Sequence, residues 1–419
     1  MTQGSAKAML RAGAARRSIT PDRPLELGGY AARELLSAGV LDPIYARALY
    51  LSTGESEAAG VCVLSLDLIG LPLRYAAAVR DEVGAACGIP PEHVMVACTH
   101  THAAPSGVDF DGAGRTDAAY LNELRSLIVA AAQEAKARRE PAIARVGEAE
   151  AHLSLNRRDA LRRGVPFGPN LAAGRIDPRV RVLRWDSPSG RTIAVLYLYA
   201  MHPVTLRADN RLISSDFPGV TSARVESHFP GSVALFLNGP AGDLTPRQVG
   251  GVQAMRAVGE ALAEAVIQAA EAAAPCSPEP AAGPLGAVAR VTLPAADPRE
   301  PRGMEVAVQA LRLPGATLVG LAGEPLLGLG QAIEVGLRRR GHEPVWIVGY
   351  ANGCSGYLPT VEACDQGGYE PVTSARYYGH PVLAAAAQSL VTRAAWAAAA
   401  AVGLNERSAE RNPGGGNER

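Results

Sequence analysis

Residues 98–107 read CTHTHAAPSG, and two imidazoles one residue apart, His100 and His102, directly follow the short apolar run HVMVA at 93–97. A β-branched run of that length predicts a buried strand whose C-terminal end delivers the pair into a loop, where sites sit in α/β proteins. If the backbone stays extended through the motif, both rings point to the same side, so that one can bind a metal while the other faces a substrate. A polar loop with two hydrogen-bonded histidines is the plainer alternative. Three later segments repeat the arrangement: the strand expected over 192–198 runs into Ala200-Met201-His202-Pro203, the run 316–322 into Gly323-Glu324-Pro325, and the run 345–349 into a polar loop over 350–370 with Tyr350, Tyr357 and Tyr369. Two histidines and a glutamate at three strand ends form the donor set that catalytic zinc commonly uses, with positions left for water and a fourth ligand. Residues 238–246, NGPAGDLTP, lack the GK[ST] of a phosphate loop but place the Thr245 hydroxyl and backbone N–H groups at another strand end. Asn156 and Arg157, within SLNRRD, read either as solvated turn residues or as a clamp for a substrate carbonyl. Asp67, near the end of the apolar run 60–70, reads as a hydrogen-bonded structural group.

These side chains need a frame, and the hydrophobic periodicity supplies one. The strand at 60–70 is followed by a helix over 73–87 stopped by Gly88, then by the histidine strand and a helix over 118–138 capped by Thr116-Asp117, a βαβα succession. Further strands are expected at 142–146, 180–185, 233–237, 287–293 and 306–311, with helices near 220–228 and over 252–273. Glu324 is expected at the start of a helix running to Arg340, and residues 381–402 form the closing helix. Residues 274–284 are Pro-rich and read as a surface loop. The expected fold is α/β: one large catalytic unit over 1–402, built of mixed β-sheets layered with helices, with a metal site at the C-terminal ends of strands. Residues 403–419, polar and Gly-rich, are expected to be a disordered tail.

The chain has 419 residues, 41 basic against 41 acidic side chains and 47% hydrophobic residues, enough for a large core and without the charge excess that attracts nucleic acid or anionic lipid. Six scattered cysteines without a CxxC pair disfavour a structural zinc knuckle or a disulfide scaffold and fit a reducing cytosol. The N-terminal residues carry charges but no apolar core of a signal peptide, and the run 394–404 is too short to span a bilayer. The expectation is a cytoplasmic protein with no stable membrane anchor and no nucleic-acid partner; the oligomeric state is not specified.

Taken in order, Thr99–His102, His202-Pro203, Gly242–Pro246, Gly323-Glu324 and the segment from Tyr357 to Tyr369-Glu370 resemble the motifs of the neutral (non-lysosomal) ceramidase family, zinc-dependent amidases that cleave the N-acyl bond of ceramide. The resemblance implies one zinc ion per chain on His100, His202, Glu324 and Tyr357. It implies that His102 and Tyr369 orient the substrate or stabilise the tetrahedral intermediate, with Arg157 and Thr245 near the amide. A zinc-acidified water would attack a small-molecule or lipid N-acyl substrate without a covalent intermediate. Three departures are visible. Thr245 replaces the family's serine in GD-x-S-P, the chain ends before the family's C-terminal β-sandwich domain, and no secretion signal is seen. The substrate is therefore expected to be N-acyl but not of necessity ceramide. An esterase or lactonase with the same metal centre, and a non-catalytic binding protein retaining the fold, are the alternatives. A serine hydrolase is disfavoured by the lack of a G-x-S-x-G elbow.

Overall fold

The computed structural model describes residues 9–53, 60–162, 174–276, 285–342 and 344–402. The expected tail at 403–419, and residues 277–284 of the Pro-rich segment, lie outside the described residues. Three mixed sheets organise the chain. The first runs in the order Val94–Cys98, Gly60–Leu66, Tyr45–Thr53, Leu10–Ser18 and Glu140–Pro141, and only its first two strands pair in parallel. That parallel pair is joined through the helix Leu73–Cys87, which ends on Gly88 in the left-handed conformation, as the sequence pattern predicts. The second sheet is ordered Val233–Asn238, Thr192–Tyr199, Arg179–Asp186, Ile143–Glu150 and Ala274–Pro275. The third is ordered Gly286–Leu293, Met304–Leu313, Ala316–Leu321 and Val345–Val348. Each of these two again has one parallel pair, at the edge: Thr192–Tyr199 with Val233–Asn238, and Ala316–Leu321 with Val345–Val348.

One face of every sheet contributes to a shared apolar core that joins Leu49, Val63 and Met95 of the first, Trp185, Leu196 and Leu235 of the second, and Leu311, Leu318 and Trp346 of the third. The other faces are covered by helices. Leu73–Cys87 and Ala118–Ala137 pack on the first sheet, Phe217–His228 and Val252–Glu271 on the second, and Leu327–Arg338 and Ala387–Ala401 on the third. Strands buried on both faces read as continuous apolar runs, which is why TIAVLYLY and VALFLN show no polar alternation. Asp117 caps its helix by accepting from the Tyr120 N–H, as predicted. Asp67 is structural, pairing at 2.6 Å with the buried Arg47. Among the described residues no helix is long and apolar enough to cross a membrane.

Two expectations need correction. Glu324 does not open a helix: Glu324–Pro325 is a two-residue strand parallel to Tyr357–Leu358, and the helix begins at Leu327. Proline has no N–H for the ladder, so this pair stays short and the chain turns at once into the helix. Residues 350–370 are likewise not one loop, because Tyr357–Leu358 is a strand and Val361–Gln366 a helix.

The helix after Glu324 is tied to the second sheet by charge. Glu334 accepts from Arg179 at 2.9 and 3.0 Å and from Arg181 at 3.1 and 3.2 Å, and Asp177 accepts from Arg179 at 2.7 and 2.8 Å. Because Arg181 and Glu334 are buried, Glu334→Gln is expected to destabilise the fold by about 3 kcal/mol, read from urea unfolding. Burial alone would raise the Asp177 pKa, but Arg179 and Arg181 outweigh it and hold the carboxyl below its ordinary 3.8. A depressed folded-state pKa stabilises above the ordinary value and is lost as pH falls through the lower one. The stability difference between wild type and Asp177→Asn is therefore expected to be constant near neutrality and to shrink only as pH falls below the ordinary 3.8.

Candidate metal centre and active-site cavity

The three sheets bring their ligand-bearing ends to one point. His100 follows Val94–Cys98, His202 follows Thr192–Tyr199 and Glu324 follows Ala316–Leu321, each just past the strand's C-terminal end. His100 Nε2 lies 3.2 Å from His202 Nε2, and Glu324 Oε2 lies 3.1 Å from each of those nitrogens. All three side chains are buried. The backbone of His100 is not extended as the sequence suggested, because its φ of 69° is left-handed. Its N–H donates to Leu68 at 2.9 Å and its Nδ1 to the Ile69 carbonyl at 2.6 Å, a double anchorage that turns the ring inward. His202 Nδ1 is held in the same way by the Ala241 carbonyl at 2.7 Å. A carbonyl only accepts, so each Nδ1 carries the ring proton and each Nε2 presents a lone pair to the centre.

The protonation states agree. Burial lowers the pKa of His202 to about 4 against the pull of Glu324, and burial together with His100 and His202 lowers that of His102 well below 6.5. Burial opposes the charge of Glu324, but the neighbouring imidazoles outweigh it and keep the carboxyl well below the usual range. At neutral pH His202 is therefore uncharged and Glu324 ionised. Glu324 Oε2 makes no hydrogen bond despite its burial. With metal–ligand bonds of about 2.0–2.1 Å, neighbouring donors of a tetrahedral ion stand about 3.3–3.4 Å apart, close to the observed edges. The donor set fits zinc.

His102 adds a third imidazole, its Nε2 3.3 Å from His100 Nε2, and the ligating nitrogens of all three histidines lie within 4.8 Å of one another. It is less enclosed than the other two and faces a cavity of about 280 Å³. Gly29, at φ 98°, lies against its ring, where a Cβ would stand 2.3 Å from Nδ1. Tyr357 and Tyr369 line the same cavity. Arg157 and Thr245 do not lie in its wall. Arg157 opens a short helix beside the centre and donates to the Tyr357 hydroxyl at 3.0 Å, to Glu370 at 2.7 Å and to the Gly242 carbonyl. Burial and Glu324 push the Tyr357 phenol pKa up, whereas the Arg157 guanidinium pulls it down. The clamp read at Arg157 thus acts on a tyrosine of the site. Thr245 sits half-buried on the strand Leu244–Pro246, opposite Leu155, and the structure does not bring it to the cavity.

The sequence model of the family described as neutral/alkaline non-lysosomal ceramidase, N-terminal, matches residues 11–261, more than half of the chain. The chain belongs to this family. Neutral ceramidase of Pseudomonas aeruginosa is 27% identical over 233 residues, which are 52% of this chain and 34% of that protein; the match spans about a third of the relative's length. The crystal structure of neutral ceramidase from P. aeruginosa superposes with a TM-score of 0.78 at 21% identity, covering 97% of this chain and 77% of that one. A ceramidase complexed with C2 does so with a TM-score of 0.75, at the same identity and coverage. These likenesses show a shared fold. The family match ends before Glu324, so in this ceramidase-family chain the third sheet's contribution to the site lies outside the matched residues.

Sequence reasoning passed over one further member of the site. The Tyr378 hydroxyl donates to Glu324 Oε1, leaving Oε2 to face the imidazoles. Its ring is fixed edge-on by Phe110 at 5.1 Å and by Tyr357 at 6.3 Å. Tyr378 ends a four-residue helix, too short for any periodic signal. A partner that orients a metal-binding carboxylate is worth about 10–100-fold in affinity. Tyr378→Phe is accordingly expected to weaken zinc binding by about that factor, measured by competition with a chromogenic chelator.

Proposed function

We propose that this chain is a zinc-dependent amidohydrolase that cleaves an N-acyl (amide) bond by attack of water. The observation that supports it above all is the triangle of His100 Nε2, His202 Nε2 and Glu324 Oε2, with edges of 3.1–3.2 Å and both Nδ1 protons committed to backbone carbonyls. His100, His202 and Glu324 would hold the ion, with Tyr357 as fourth ligand and Arg157 steadying its phenolate. His102 shares only one short edge with the triangle and faces the cavity, which suits a substrate-side base better than a ligand. When bound, zinc lowers the pKa of water towards 7 and polarises a carbonyl.

The remaining tasks fall to the chain's own side chains. His102, uncharged at neutral pH, takes the proton of the attacking water at Nε2 and returns it to the leaving amine. Tyr369 is a proton donor throughout the neutral range, because burial and then Glu324 push its pKa up to about 12. From the cavity wall, its hydroxyl would hydrogen-bond the oxygen that gains charge as the carbonyl becomes tetrahedral. Burial of the triangle restricts bulk water to the cavity side.

The test combines metal analysis with turnover of an N-acyl amide panel, each amide run beside its matched ester. The expected result is about one zinc per chain, activity lost on chelation and restored by zinc, and amide cleavage reduced about 10²–10³-fold in kcat by Tyr369→Phe with zinc content unchanged. Full activity in the metal-free chain, or zinc retained by the His100→Ala and His202→Ala variants, would sink the reading.

A further inference from the structure

The cavity above the triangle shares a wall with a second, more open depression. The inner cavity, about 280 Å³, is lined by Tyr30, Ile69, Phe110, Tyr377 and Tyr378 besides the site residues; the outer one, about 480 Å³, is lined by Asp109, Asp111, Arg115 and Gly379. Phe110, Tyr377 and Tyr378 line both. They form an aromatic partition. Phe110 is buried in a small cluster with Ile69, Val108, Ala113 and Cys354 and meets Tyr378 edge-on at 81°. The two segments carrying the partition are joined backbone to backbone, the Asp111 N–H donating to Tyr377 at 2.9 Å, while Phe110 itself donates to Gly114 at 2.9 Å. The wall is held from several sides.

We propose that this partition limits the acyl group to a short chain, so that the site takes N-acyl compounds of no more than about eight acyl carbons, each counted at about 30 Å³, the share of one water. The proposal rests on the hydrolase reading given above and narrows its substrate class. At that volume per group, 280 Å³ holds about nine heavy atoms including the scissile carbonyl. The lining decides which half of the substrate enters. Apart from Glu324 at its base, the cavity's described lining has no carboxylate and no lysine or arginine. A leaving amine departs as a hydrated cation and belongs at the solvent side. A hydrocarbon chain belongs against Ile69, Phe110 and the tyrosine rings. Each methylene that fits there is worth about fourfold in affinity, and each one beyond the partition gains nothing.

The experiment uses the zinc-loaded full chain and the straight-chain carboxylates from acetate to dodecanoate, which are the acyl products and bind without turnover. Calorimetry is expected to show affinity rising about fourfold per methylene and levelling off near about eight carbons. Phe110→Ala, and independently Tyr377→Ala, should open the wall and move the break to longer chains; circular dichroism identifies which variants are folded. Affinity that climbs without a break to dodecanoate in the wild type overturns the proposal, as does a break that stays in place in a folded variant or no binding at any length. The same acyl series presented as amides separates the two readings. Carboxylates that bind with the break while no amide is cleaved uphold the length limit and end the hydrolase reading. Amides cleaved fastest at dodecanoyl uphold the hydrolase and end the length limit.

Discussion

Two imidazole nitrogens and a carboxylate oxygen, all presenting electron pairs, are packed within 3.2 Å of one another in a buried space, and this electrostatic conflict organises the rest of the molecule. Electron pairs turned on one another at this distance repel unless a cation, whether a proton or a metal ion, stands among them. Much of the surrounding structure serves to keep the conflict from relaxing. The Ile69 and Ala241 carbonyls fix the ring tautomers, Tyr378 holds the outer oxygen of Glu324, and Tyr350 stacks on His100 at 4.0 Å.

The sheets explain how such a cluster is made rigid. Each donor stands at the end of a strand that belongs to a parallel pair, and the three sheets share one side-chain core, so a displacement of one donor would have to shear well-packed apolar surface. Asp243 adds a polar tie. One of its carboxylate oxygens accepts the Leu327 N–H at 2.8 Å and the other the Asn156 side chain at 2.9 Å, linking the start of the helix after Glu324 to the residue before Arg157.

Much of this was legible in the chain because it is local. The helices over 73–87 and 118–138 and the apolar strands follow from periodicity, and the ordered histidine, glutamate and tyrosine motifs announced which side chains would meet. What escaped was set by partners distant in sequence. Glu324 looks like a helix start until its strand pairing with Tyr357 is known, and the left-handed turn at His100 depends on carbonyls of residues 68 and 69. The partners of Arg157, Glu370 and Tyr357, and the place of Thr245 opposite Leu155, come from segments far apart in the chain. Phe110 and Tyr378 carry no local pattern at all, since their meaning lies in the contact between them.

The distribution of donors over three sheets has a consequence for biogenesis. His100 and His202 emerge with the first two sheets, whereas the carboxylate that offsets a divalent charge belongs to the third, the last to leave a ribosome. A cation bound by imidazoles alone would be buried with its charge uncompensated. The geometry that brings the three donors together is therefore incomplete until the third sheet has been synthesised and packed.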